Sequence, residues 1–261
     1  METDLANKIA VVTGASKGIG LATSQALAAA GAFVIAGARH NSAELQALEA
    51  AGSATFVAAD LSTADGPRAL VAAAADRGGV DILVNNAGAV TPRFGGVLSV
   101  TDDDWADALA VNFLSAVRTT RDAIPHMLAR GGGSIVMIGS VNATLPESNI
   151  VDYSATKAAL ANFAKSVSKE FGPKGIRVNT VSPGPVATDL WLSDQGIAAQ
   201  FAAASGSTPD DVVGAVVAGS ATGRFTTPVE VADLVLFLAG GHAANITGSD
   251  IRIDGGYVTT L

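Results

Sequence analysis

The sequence predicts an α/β fold, a single doubly wound domain whose parallel seven-stranded sheet carries helices on both faces. Three observations lead there. Seven short runs are apolar at nearly every position, as strands buried on both faces are. Ala- and Leu-rich segments of helical length separate most of them, and that alternation sets helices on either side of a parallel sheet. No Pro/Gly/Ser linker and no internal repeat breaks the alternation, so residues 1–261 read as one domain.

The elements follow in order. "KIAVV" (8–12) is the first strand, and 18–30 is a helix ending at Gly31. "AFVIAG" (32–37) is the second strand, with a helix over 42–51 closed by Gly52. "ATFVAA" (54–59) is the third, followed by the helix "ADGPRALVAAAADR". "VDILVN" (80–85) is the fourth, and one long helix is expected over 102–129. Thr101 reads as its N-cap, with Asp102, Asp103 and Asp104 complementing the dipole of its first turn. "GSIVMIG" (133–139) is the fifth strand, 150–171 a second long helix and "IRVNTV" (176–181) the sixth strand. A helix over 228–239 and the strand "DIRID" (250–254) close the fold.

Composition removes several function classes. Of the 261 residues 49% are apolar, enough for a sizeable core. The net charge of −8 argues against a nucleic-acid partner, which needs clustered Lys and Arg, but leaves room for a local basic pocket around a small phosphate. With no cysteine, disulfides, thiolate metal sites and cysteine nucleophiles are excluded. His40, His126 and His242 are scattered, so no metal is expected. "METDLANKIAVV" lacks the charge and apolar core of a signal peptide, and no run of about 18 apolar residues occurs. No membrane association is expected, and the cytoplasm is the default location.

"TGASKGIG" (13–20) falls between the first strand and the first helix. A nucleotide loop sits there because free backbone N–H groups and the helix dipole meet phosphate oxygens. Gly14, Gly18 and Gly20 let the turn tighten and the backbone come close to a ligand. Lys17 stands at the helix start, where a cation opposes the dipole, so a ligand with extra negative charge would explain it. An NAD site places Asp or Glu at the end of the second strand to bind the ribose 2′-hydroxyl. That position is Ala38 here, followed by Arg39. An acid would repel a 2′-phosphate, whereas Ala38 with Arg39 and Lys17 accommodates one, which predicts NADP(H) over NAD(H) on a Rossmann-type sheet.

At "YSATK" (153–157) the sequence resembles the short-chain dehydrogenase/reductase family, over its whole length except a variable stretch near 190–225. The pieces occur in order. "TGASKGIG" resembles the family's G-x-x-x-G-x-G loop, adding Ser16 and Ile19 to the cofactor contacts. "DL" (Asp60, Leu61) is similar to the pair that contacts adenine, and "NNAG" (85–88) to the motif after the fourth strand, with Asn86, Ala87 and Gly88 at the cofactor. Asn112, Ser140, Tyr153 and Lys157 match the catalytic tetrad. "PGPVATD" (183–189) resembles the segment on the nicotinamide, through Pro183, Gly184, Val186 and Thr188, and "ITGSDIRIDGG" (246–256) the closing strand. The resemblance also implies a homotetramer.

Hydride transfer to a ketone builds charge on the carbonyl oxygen, which needs a proton and a hydrogen-bond donor. Tyr153 can give the proton; its free pKa is about 10, and a nearby ammonium would lower it. Lys157, four residues on, shares its helix face. The resemblance implies that Lys157 also bonds the nicotinamide ribose, that Ser140 donates to the substrate oxygen, and that Asn112 holds a water linking Lys157 to solvent.

The substrate is expected to be a ketone or secondary alcohol, uncharged or weakly polar, because Arg224 is the one basic residue in the variable segment 189–225. Leu190, Ile197 and Phe201 recur at roughly helical spacing there, as an amphipathic lid would. Residues 89–96 and 141–147 form the other walls, with Arg93, Asn142 and Glu147 as polar candidates. Two alternatives stand. A 3-oxoacyl-(carrier protein) reductase would use Arg118, Arg121 and Arg130 to hold an acidic carrier. A catalytically silent NADPH-binding regulator would need no tetrad.

Overall fold

A computed structural model of the chain describes residues 4–260. Its centre is a seven-stranded sheet, all parallel, in the order β3-β2-β1-β4-β5-β6-β7. The strands are β1 (Ile9–Thr13), β2 (Phe33–Ala38), β3 (Ala54–Ala58), β4 (Ile82–Asn85), β5 (Gly133–Ile138), β6 (Ile176–Pro183) and β7 (Asp250–Ile253). The order reverses between β1 and β4, so the loops leaving these two strands diverge and open a crevice at the carboxyl edge of the sheet.

Each central strand is buried on both faces because successive side chains alternate between two cores. Ala10 and Val12 of β1, with Ile82 and Val84 of β4, face a layer built by Leu27, Val235 and Leu238. Those residues come from α1 (Gly18–Ala29) and α10 (Pro228–Ala239). Ile9, Val11 and Leu83 face the opposite layer with Leu70, Met127 and Leu160. That layer belongs to α3 (Asp65–Asp76), α5 (Ser115–Ala129) and α6 (Val151–Phe171), while α2 (Ala43–Ala50) follows β2.

The expected helix over 102–129 is interrupted. It runs as α4 (Asp102–Leu109), then a π turn over Ala110–Leu114, then α5. Thr101 and Asp104 form a capping box at its start, as the sequence predicts. The variable segment is not one amphipathic helix either. It folds as α7 (Asp189–Leu192), α8 (Ile197–Ser205) and α9 (Pro209–Ala218). Ser193 leaves α7 with an extended backbone, so Leu190 and Phe201 lie on different helices. Ile197 is buried while Leu190 and Leu192 are exposed. No helix among the described residues is long and apolar enough to cross a membrane.

At the amino edge of the sheet Asp81 is a buried anchor. Its Oδ2 accepts from the Ile9 N–H at 2.8 Å and its Oδ1 from Arg130 Nε at 2.8 Å, with Lys8 Nζ at 3.5 Å. Replacing Asp81 by Ala leaves the Ile9 amide buried without an acceptor, at a cost of about 2 kcal/mol. Thermal melting of Asp81→Ala should therefore fall by about 4–8 °C relative to the parent, with no change in ligand binding at the far edge.

Candidate functional site

The crevice is held open by loop-to-loop hydrogen bonds. Thr13, the last residue of β1, accepts from the backbone N–H of both Asn86 and Ala87 at 2.9 Å through its Oγ1. Asn86 returns the bond: its Nδ2 donates to Thr13 O at 2.9 Å and to Gly14 O at 3.1 Å. Between them sits Gly20, where an added Cβ would lie 2.1 Å from Gly14 O and 2.5 Å from Asn86 Nδ2. Only glycine fits, and the first turn of α1 is thereby pulled against the strand ends. Asn86, singled out as a cofactor residue, spends its side chain on this junction. Thr13 was not singled out, although a hydroxyl ending a fully buried apolar strand was a visible signal.

Lys17 is the N-cap of α1 and its side chain makes no capping bond, so the opening N–H groups of the helix are left for a ligand. Lys17 and Arg39 are exposed, and neither forms a hydrogen bond or ion pair among the described residues. Asp60 binds the amide of Ser62 at 3.0 Å and its hydroxyl at 2.7 Å. Those bonds, and then the charge of Arg39, hold its carboxyl below the usual range. Leu61 is buried in the core beneath. Ser16 is half-buried in the loop, and Ile19 packs on the core under α1. Across the crevice Gly184 N–H donates to Ile253 O at 3.1 Å, which fixes the turn after Pro183. Val186 is buried, and Thr188 N–H donates to its carbonyl at 2.8 Å. A Cβ on Gly18 would touch Thr188 Cγ2 at 3.3 Å, so this turn folds over the start of α1.

The four tetrad positions converge at the carboxyl edge. Ser140 follows β5 and is 7% exposed. Its hydroxyl donates to Asn142 Oδ1 at 3.1 Å and accepts the Asn142 N–H at 3.2 Å, and it faces Tyr153, on the first turn of α6, closely enough to pull the phenol pKa down. Lys157, one turn later, is 4% exposed; its Nζ donates to Ile138 O at 2.8 Å and stands 5.6 Å from the Tyr153 ring centre. Asn112 lies in the π turn and is 2% exposed. Its Oδ1 accepts from Ala89 N–H at 2.9 Å and its Nδ2 donates to Ala108 O at 3.1 Å. The Asn112 amide therefore secures the loop after β4 directly. A Cβ on Gly88 would lie 3.0 Å from Asn112 Oδ1 and 3.5 Å from Lys157 Nζ, so the loop passes closely between them.

Electrostatics here differ from the simple expectation for Tyr153. Burial pushes its phenol up from 10.0, and the Ser140 bond pulls the other way. Burial also pushes the Lys157 ammonium down, to about 8. Desolvation thus outweighs the pull of the Ser140 hydroxyl on the phenol. Two further expectations change. Arg93, considered as a substrate contact, has its guanidinium bound by Asp152 and Asp104. Asn142 is committed to Ser140 Oγ and to Leu145 O, at 3.1 and 3.0 Å.

Because Lys157 holds its proton less tightly in the folded chain than its ordinary 10.5, the unfolded chain binds more protons between about pH 8 and 10.5. Stability from this group rises with pH across that window, and the full cost of burying the ammonium is felt below it. Lys157→Met should therefore melt about 5 °C higher than the parent at pH 7, the gap closing as pH approaches 10. Melting curves from pH 7 to 10 measure it.

The family model described as short chain dehydrogenase matches residues 8–195. The 3-oxoacyl-(acyl-carrier-protein) reductase of Vibrio cholerae is 33% identical over 255 residues, covering 97% of this chain and 98% of that protein. The cis-4-hydroxycyclohexanecarboxylate dehydrogenase of Sinomonas cyclohexanicum is 34% identical over 256 residues, covering 97% of each. The crystal structure of L-sorbose reductase from Gluconobacter frateurii, in complex with NADPH and L-sorbose, superposes with a TM-score of 0.91 at 33% identity over 100% of both chains. The chain belongs to the short-chain dehydrogenase family of oxidoreductases.

Proposed function

We propose that the protein is an NADP(H)-dependent oxidoreductase acting between a ketone and a secondary alcohol. The observation that carries this reading is the convergence of Ser140, Tyr153 and Lys157 in one crevice, with the unpaired Lys17 and Arg39 along the same edge. The chain fits the dinucleotide. The close approach at Gly20, the uncapped start of α1 and two free cations form a cradle for phosphates, including a 2′-phosphate.

When bound, the nicotinamide supplies or accepts the hydride. Ser140 donates a hydrogen bond to the carbonyl oxygen and holds it beside the Tyr153 phenol. Tyr153, kept protonated by burial, gives its proton to that oxygen as charge develops there. Lys157, with its proton held loosely, restores the Tyr153 proton and would help hold the ribose when the cofactor is bound. Asn112 holds the loop after β4 through Ala89, so that Gly88 lies beside Lys157 Nζ. The turn over Pro183–Thr188, which folds over the start of α1, would hold the nicotinamide. Reaction at a free carbonyl fits the exposed aromatic and aliphatic side chains of the predicted walls and variable segment, Phe94, Leu145 and Leu190. A carrier-bound 3-oxoacyl thioester is the second reading, favoured by the Vibrio cholerae relative. Of the arginines that would serve it, Arg118 bonds Ser62 O and Thr63 O, Arg121 pairs with Asp122, and Arg130 pairs with Asp81 at the opposite edge.

NADPH oxidation against diketones, cyclic ketones, aldehydes and 3-oxoacyl thioesters tests both readings. Tyr153→Phe should lower kcat by more than about 10³-fold with NADPH still bound. NADPH binding without turnover of any compound would instead support the regulator. Exchanging Lys17 and Arg39 together for Ala should raise KM for NADPH by about 100-fold, two charge-assisted bonds to phosphate being lost, and leave KM for NADH nearly unchanged. Equal KM values for the two cofactors in the parent would refute the 2′-phosphate assignment. The tetramer belongs to the same proposal: sedimentation of the parent should give four chains per particle.

A further inference from the structure

The loop after β4 is tied to both catalytic helices by one side chain. Arg93 Nε and Nη2 donate to Asp152 Oδ2 at 3.0 and 2.6 Å, and its Nη1 donates to Asp104 Oδ1 at 2.7 Å. The Arg93 backbone N–H adds a bond to Asn149 O at 2.6 Å. The side chains of Arg93 and Asp152 are only 15% and 3% exposed, so the pair is held largely away from solvent screening. Asp152 immediately precedes Tyr153, and its second oxygen, Oδ1, accepts the Tyr153 N–H at 2.9 Å. Asp104 belongs to the capping box of α4, the helix that runs into the π turn bearing Asn112.

The next residue carries the linkage outward. Phe94 meets Phe201 of α8 edge-on, ring centres 5.2 Å apart. The dipeptide Arg93–Phe94 thus stands between the variable helices over the crevice and the first turn of α6.

We propose that Arg93 is a positioning residue that sets where the Tyr153 turn of α6 sits against the loop after β4, and through Phe94 registers the placement of α8. This rests on the reading of Tyr153 as the acid. A lysine at 93 keeps the charge but not the planar fork, and one ammonium cannot bridge both carboxylates in the same geometry. The reacting oxygen must meet the phenol within hydrogen-bond reach, so a small displacement of this turn costs rate and not affinity.

Two measurements test it, on Arg93→Lys and on Asp152→Asn, which keep size and solubility where Arg93→Met would strand two carboxylates. The first is kcat per titrated NADPH site. A fall of about tenfold is expected in both variants, with a larger solvent deuterium isotope effect and NADPH affinity within about twofold of the parent. A merely structural role would lower melting temperature and the number of titratable sites, and leave kcat per site and the isotope effect unchanged. The second is hydrogen exchange, which needs no turnover. Peptides covering 89–97 and 147–157 should lose protection together in Arg93→Lys. Unchanged kcat per site, or unchanged exchange in 147–157, overturns the inference. If the parent itself turns over nothing, the reading of the site fails, and the exchange experiment still decides the role of Arg93.

Discussion

Asn86 reaches back from the end of β4 to the carbonyls of Thr13 and Gly14, while the Thr13 hydroxyl receives two backbone amides from the β4 loop. This reciprocal junction stands at the point where the strand order reverses and joins the ends of the paired strands β1 and β4. The rest of the site depends on it. It fixes the glycine loop on one side, and on the other it sends the chain through Gly88 and Ala89 to Asn112 and Lys157. Thr13 and Asn86 therefore belong to both halves of the crevice.

The proposed reacting groups, Tyr153 and Lys157, sit in a medium that penalises charge. Lys157 and Tyr153 both shift toward their neutral forms by burial, and the hydrogen bond of Lys157 to Ile138 keeps the ammonium aimed in spite of that cost. A phenol that stays protonated suits donation to a carbonyl oxygen, and an ammonium held loosely suits its replenishment. The exposed cations at the other end are the opposite case. Lys17 and Arg39 form no side-chain hydrogen bond or ion pair among the described residues, although the charge of Arg39 reaches Asp60, and so both remain open to an anionic ligand.

Much of this was legible in the chain. Apolar strands in alternation with helices gave the layers, because burial on both faces leaves no polar position to mark. Y-x-x-x-K is readable because i and i+4 share a helix face whatever the fold around them. The Thr101 cap was readable for the same reason, being settled within four residues. The breaks were not. The π turn at Asn112 answers to the loop it must bond, 23 residues away, and the segment 189–205 divides at Ser193 although its apolar spacing suggests one helix.

The sequence by itself determined the sheet, the order of the motifs, the Tyr153–Lys157 spacing and the absence of an acid at Ala38, all of which rest on local spacing or on residue type. Tertiary structure alone decided how the polar side chains are spent. Arg93, Asn142, Asn86 and Arg130 look alike in a sequence, as polar groups near a crevice or on a surface. Each is taken up by partners 2 to 73 residues away. A hydrogen bond is set by distances of about 3 Å and by angle, and only the assembled sheet brings those atoms within reach.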